Sequence, residues 1–116
     1  VRRLCPHCRV PHQPAAAIRE KFDGLRAQFP ALFSTEAQCF EARGCAKCQH
    51  TGYRGRLGIY EWLRMTEGIR DLVVQKAPTL VLKQKALEQG MRTLREDGIR
   101  AIFEGLTSIE EVVKYT

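Results

Sequence analysis

Nowhere in these 116 residues does an apolar run reach eighteen, so no segment is long and apolar enough to cross a bilayer as a helix. The opening residues, VRRLCPHC, lack the apolar stretch of a signal peptide. They also lack an initiator methionine, and the chain reads as an excised piece of something longer. The G-x-x-x-x-G-K-S/T loop that cradles nucleotide phosphates is missing, as are G-x-S-x-G and H-E-x-x-H. By itself the segment therefore reads as non-catalytic. Glu96 and Asp97 do stand side by side, but in the first turn of an expected helix. There they serve the helix dipole and cap better than acid–base chemistry. Internal repeats and low-complexity runs are also absent.

What is present is uneven. Residues 1–58 hold ten Lys and Arg against four Asp and Glu, whereas residues 59–116 hold nine against nine. A basic half can serve nucleic acid, acidic lipid or another phosphate-bearing partner. It can also balance a metal site, since four thiolates on one Zn²⁺ leave a net charge of –2. The length suits one domain or two very small ones.

The pattern predicts an α+β fold, mainly α. Residues 1–12 form a short cysteine-bearing loop. A helix follows Pro14, with Ile18, Phe22, Leu25 and Phe29 on one face, and Pro30 ends it. Residues 31–37 read as a connection. Frequent glycines and the β-rich string IYEWL predict strands over 38–43 and 57–64, paired antiparallel around a tight turn. After Thr66 four short helices are expected, with stops at Pro78 and Gly90. Capping boxes are expected at Thr93–Glu96 and Ser108–Glu111. Two parts result: a tetracysteine module with an inserted helix over 1–65, and a helical C-terminal extension, a small bundle, over 66–116.

Cysteine carries the strongest signal. CPHC at 5–8 and CAKC at 45–48 repeat one spacing, thirty-six residues apart. Each C-x-x-C lets two sulfurs reach one ion from a single turn, and two such turns complete a tetrahedron. Cys5, Cys8, Cys45 and Cys48 are the predicted ligands of a structural Zn²⁺, in a zinc ribbon with an insertion. A catalytic zinc needs an open position that four thiolates do not leave. Disulfides need an oxidising compartment, of which the sequence gives no sign. Cys39 reads as a buried strand residue. His7, His12 and His50 read as solvated or hydrogen-bonded, not as ligands. Tyr53, Tyr60 and Trp62 could stack bases beside the basic residues, but they read better as sheet core.

Three strings then follow one another in order: RLCPHC, GCAKCQHTGYRGRLGIYE and MRTLREDGIRAIFEGLTSIEEVV. Together they resemble the C-terminal region of the type II secretion and type IV pilus assembly ATPases, the GspE/PilB type of traffic ATPase. The resemblance covers nearly the whole chain, with residues 12–38 poorly matched. It implies a module that follows a RecA-like core carrying the Walker motifs, so that ATP and Mg²⁺ belong to that core and not to these residues. It also implies a hexamer on the cytoplasmic side of a bacterial inner membrane. That hexamer would drive secretion or pilus assembly through inner-membrane platform proteins. The implied partners of this piece are its own core, neighbouring subunits and the platform, and the piece alone is expected to be a monomer. Two readings stand for Arg54 and Arg56, which flank Gly55. They are solvated turn arginines, or in the implied hexamer they contact a phosphate of the neighbouring subunit's nucleotide. The alternative function is a freestanding zinc module that binds nucleic acid. The acidic residues Glu96, Asp97 and Glu104 on its one helix-turn-helix-like segment argue against that.

Overall fold

Pro14 stands just before the N-cap of the first helix, Ala15, and a positive-φ glycine, Gly90, follows the third, so the helical punctuation of the sequence is what the chain obeys. The computed structural model describes residues 1–30 and 38–116, so the expected connection at 31–37 lies outside the described residues. In order the elements are β1 (Arg2–Leu4), β2 (Val10–His12), α1 (Ala16–Gln28), β3 (Cys39–Glu41), a 3-10 turn at Ala46–Cys48, β4 (Tyr53–Arg56), α2 (Glu67–Val74), α3 (Thr79–Glu88), α4 (Leu94–Phe103) and α5 (Ile109–Tyr115). The fold is mainly helical, as the sequence predicts, with two small antiparallel sheets where one was expected.

The pairing of those strands differs from expectation. β1 pairs with β4 and β2 pairs with β3, both antiparallel. Segments 38–43 and 57–64 do not pair with each other. Each sheet instead takes one strand from the first cysteine loop, which the sequence reading left without strands. Arg2 lies opposite Arg56 and Leu4 opposite Tyr53, so β4 holds one residue more. Gly55, at φ +79°, supplies left-handed backbone at this irregularity of the ladder. The expected strand at 57–64 does not form. Val1 and Leu57 exchange one more pair of hydrogen bonds, at 2.9 and 3.0 Å, and the ladder ends there. Tyr60, Trp62 and Leu63 are exposed, so the sheet-core reading of Tyr60 and Trp62 also fails. β-propensity expresses a fit to a pleated, half-buried surface, and beyond Leu57 no such surface among the described residues receives these side chains.

Two compact units result. Residues 1–59 and 94–116 form one, and residues 60–93 the other. The reason is the destination of α4 and α5. The core of the first unit is Phe22 and Leu25 from α1, Cys39 from β3, Ile99, Ile102 and Phe103 from α4, and Val112 from α5. The rings of Phe22 and Phe103 stack with centroids 3.9 Å apart. The predicted face of α1 is thus the buried one, with Ile18 and Phe29 at its margins. Gly98 permits the approach of α4 to α5, because a Cβ there would lie 2.5 Å from Val112 Cγ1. In the second unit Thr66 caps α2 by accepting the Ile69 N–H, and its hydroxyl donates to Gln89 Oε1 at 2.9 Å. Ile69 and Ala86 are its buried apolar residues.

Candidate metal centre

The first knuckle follows β1. Cys5 N–H donates to the Gly52 carbonyl at 2.9 Å, and the amides of Cys8 and Arg9 turn back onto the Cys5 carbonyl. The second knuckle is the 3-10 turn 46–48, closed by Gln49 and His50 in the left-handed region. The two sheets hold these turns against each other. The fit is close, since a Cβ on Gly52 would come 2.6 Å from Ala42 Cβ.

The sulfurs of Cys5, Cys8, Cys45 and Cys48 consequently all lie within 4.8 Å of one another. Cys5 to Cys45 is 3.9 Å, Cys8 to Cys48 is 3.8 Å, and Cys45 to Cys48 is 3.8 Å. A tetrahedral site with metal–sulfur bonds of about 2.3 Å has sulfur–sulfur edges of about 3.8 Å, so the spacing fits a four-thiolate ion site. Backbone amides supply the surrounding shell that thiolates need. Gly44 N–H points at Cys8 Sγ at 3.3 Å, and the N–H groups of Cys45 and Gly52 point at Cys48 Sγ at 3.2 Å. Cys5, Cys8 and Cys48 are buried and Cys45 is half-buried.

Ionisation follows this shell. Burial opposes charge on Cys48, but the amides of Cys45 and Gly52 and the neighbouring thiols of Cys45 and Cys8 outweigh it and pull the thiol down to about 6. At Cys8 burial prevails over the single Gly44 amide, and the thiol is pushed up to about 12.

The other sequence-selected residues stand apart. Cys39 is buried in the apolar core at the start of β3. His7, His12 and His50 are exposed, and His12 Nδ1 lies 3.4 Å from Glu41. Arg54 and Arg56 are exposed on β4, without a bonded acidic partner among the described residues. Asp97 is buried and, with Glu104, pairs with Arg100 at 2.9 and 2.6 Å.

Glu111 is the residue that sequence reasoning placed in the wrong partnership. Ser108 Oγ does accept the Glu111 N–H at 3.4 Å. The carboxylate, however, does not complete a capping box. It takes Arg2, accepting the backbone N–H at 2.8 Å and the guanidinium at 2.8 and 2.6 Å. The Arg2 guanidinium, bonded to it and charged beside it, outweighs burial and holds the Glu111 carboxyl below its usual range. Arg2 also lies over the Tyr53 ring, whose hydroxyl meets Ser108 Oγ at 2.8 Å. Thr107 Oγ1 donates to the Arg2 carbonyl, and Leu4 N–H to that of Leu106. Arg9 completes the attachment by donating to the Gly105 carbonyl while lying over Phe40. The segment 105–111 is thus bonded directly to the strand that leads into the first knuckle. The separation in sequence, 109 positions from Arg2 to Glu111, left no local signal for it.

Comparison with known proteins gives a consistent answer. The family model described as "Type II/IV secretion system protein" matches residues 1–114. The type IV pilus assembly ATPase TfpB of Acinetobacter baylyi is 37% identical over 114 residues, 98% of this chain and 19% of that protein. The type II secretion system ATPase E of Vibrio cholerae is 34% identical over 120 residues, 100% of this chain and 22% of that protein. The type IV pilus assembly ATPase PilB of Myxococcus xanthus is 38% identical over 115 residues, 99% of this chain and 20% of that protein. The chain spans about a fifth of the length of these relatives. The cysteine spacing, the GYRGRLGIYE and LREDG strings and a family match over nearly every residue converge, and the chain belongs to the type II/IV secretion system protein family.

Proposed function

We propose that this chain is a zinc-fastened structural and interaction module of a secretion or pilus-assembly motor ATPase. The observation that carries the proposal is the convergence of Cys5, Cys8, Cys45 and Cys48, from loops forty positions apart, at edges of 3.8–3.9 Å. These four thiols would hold a structural Zn²⁺, which when bound supplies a fixed cross-link between the two knuckles and no open position for chemistry. The residues of the chain do the rest. Gly44, Cys45 and Gly52 orient the sulfurs by their amides, and Arg2, Thr107 and Leu4 fix α5 and its approach to the first knuckle. A stiff body of this kind suits the passing of motion from an ATP-hydrolysing core to its surroundings.

The names of the relatives support the setting. ATP hydrolysis belongs to the remainder of such a protein, because these residues contain no phosphate-cradling loop. The proposed assembly is a hexamer on the cytoplasmic face of a bacterial inner membrane, engaging platform proteins there. Arg56, with Arg54 beside it, is the residue proposed to reach a neighbouring subunit's nucleotide phosphate, since both are exposed and available.

The test is metal content by mass spectrometry, joined to secretion or pilus assembly by a full-length protein carrying Cys45→Ser. One zinc per chain, and impaired assembly in the variant, are expected. Zinc-free protein with unchanged assembly overturns the reading. Arg56→Ala in the full-length protein is expected to slow hydrolysis with hexamers intact, and unchanged hydrolysis removes the phosphate contact. Steep salt-dependent DNA binding by this chain would instead favour a nucleic-acid module.

A further inference from the structure

The two knuckles are closed by different means. The second closes on itself. The amides of Cys48 and His50 donate to the Cys45 carbonyl at 3.1 and 2.8 Å, and Thr51 Oγ1 donates to the Cys48 carbonyl at 2.7 Å. Among the described residues, the first is closed from within by the amides of Cys8 and Arg9 alone, at 3.3 and 3.0 Å from the Cys5 carbonyl. From outside, the Gly52 carbonyl takes the Cys5 N–H, and the Gly44 N–H points at Cys8 Sγ. A third segment, the turn between α4 and α5, holds both flanks of this knuckle by consecutive carbonyls. On one flank Leu4 N–H donates to the Leu106 carbonyl at 2.9 Å, and on the other Arg9 Nη1 donates to the Gly105 carbonyl. The approach needs a glycine, because a Cβ at Gly105 would lie 2.8 Å from both Arg9 Nη1 and Phe40 Cδ2. Two buried side chains tie this turn down at Arg2. Thr107 Oγ1 donates to the Arg2 carbonyl at 2.8 Å, and Glu111 accepts the Arg2 amide and guanidinium.

We propose that the turn Gly105–Thr107 is a clip on the first knuckle that sets how long the metal ion stays bound, with Thr107 and Glu111 as its positioning residues. The role presupposes the zinc of the proposed function. Each knuckle would give the ion two sulfurs, so the ion is freed when either knuckle swings away. Such openings are local and draw on the least firmly held segment. The second knuckle carries its own closure. The first depends on partners from elsewhere in the chain, and the clip supplies one on each side of it. Glu111 and Thr107 act at a distance: they hold Arg2, the strand from Arg2 to Leu4 carries the turn's grip to Cys5, and Arg9 carries it to Cys8. Outer partners of this kind fix where ligands stand, and their loss weakens metal sites by about 10–100-fold.

The test is the rate at which zinc passes from the intact, zinc-loaded chain to an excess of the chelator 4-(2-pyridylazo)resorcinol, after native mass spectrometry has given the zinc content of the unaltered chain. Glu111→Gln is expected to speed release by about tenfold or more. Thr107→Val, which keeps side-chain size and every charge, is expected to speed it by about threefold, and it carries the test if Glu111→Gln does not fold. Phe22→Ala is the control. It removes the ring stacked on Phe103, on α1 of the same unit, and lowers overall stability more than either clip variant, as a denaturant titration of each checks. Its release is expected to stay within about twofold of the unaltered chain, because the opening that frees the ion is local. One zinc in the unaltered chain with unchanged release from the clip variants overturns the clip and leaves the zinc reading standing. Release that follows overall stability, fastest in Phe22→Ala, also overturns the clip. An unaltered chain that takes up no zinc overturns the zinc reading and the clip together.

Discussion

The two units of this chain treat their apolar side chains in opposite ways. In residues 1–59 and 94–116 the large apolar groups of three helices and a strand meet in one core, and the small cysteine cluster forms a second. In residues 60–93 Ile69 and Ala86 are buried, while Trp62, Val74 and Leu80 are 75%, 81% and 76% exposed. Local helix signals are equally clear in both. Thr66 caps α2 and Pro78 opens α3, as Ser108 caps α5. Capping therefore decides where these helices start, and not how firmly they are held. Packing of an amphipathic face supplies most helical stability, and only the first unit has that packing among the described residues.

The sharpest way to break this contrast is to remove the metal. A structural zinc contributes on the order of 10 kcal/mol to folding at neutral pH. Chelation of the zinc-loaded protein is expected to abolish amide protection in β1–β4 and β2–β3 and to leave α2 and α3 unchanged by NMR. Loss of signal dispersion in both regions alike would make the two units one.

Truncation of the core is the next largest effect. Phe103→Ala removes the ring stacked on Phe22 and is expected to cost about 3–5 kcal/mol in a denaturant titration. A loss below about 1 kcal/mol would show that the core of the first unit is not what holds α1 to α4. Overfilling is milder. Gly98→Ala forces a methyl against Val112 and is expected to cost about 2–3 kcal/mol, with Val112→Ala restoring part of it in the double variant.

Acid gives a smaller and more specific handle. The Glu111 carboxyl titrates below its usual range because Arg2 binds its charged form. Its contribution to stability is complete above the ordinary carboxylate range and is lost as pH falls through the lowered folded value. Glu111→Gln is expected to cost about 1–2 kcal/mol at neutral pH and to flatten the acid limb of the stability profile. An unchanged limb would assign acid sensitivity elsewhere. The smallest effect belongs to the second unit, where Leu80→Ala is expected to shift the melting free energy by less than about 0.5 kcal/mol. A large loss there would mean that the exposed face is covered in solution.

Legibility in the sequence followed the range of the interaction. The buried face of α1, the cysteine quartet and the burial of Cys39 were all readable. The first two rest on periodicity and spacing, and Cys39 on its place in a short β-like run. β1, β2 and β3 have three residues each, too few to display a period of two, so two of them passed unnoticed. IYEWL displayed the right residue types for a strand and found no edge to join among the described residues. Ser108 and Glu111 had the spacing of a reciprocal cap, yet a guanidinium 109 positions away took the carboxylate. The same long-range contacts place α4 and α5 in one core with Phe22, Leu25 and Cys39.

That first unit is discontinuous, and this has a consequence for the order of synthesis. All four cysteines of the cluster have been made by residue 48, whereas the apolar core still lacks Ile99, Ile102, Phe103 and Val112. At about 5–20 residues per second, the ribosome needs several more seconds to supply them. A nascent chain thus holds a complete set of thiols well before it holds a complete core. The ion has its chance to bind while the oily half of the structure is still unwritten.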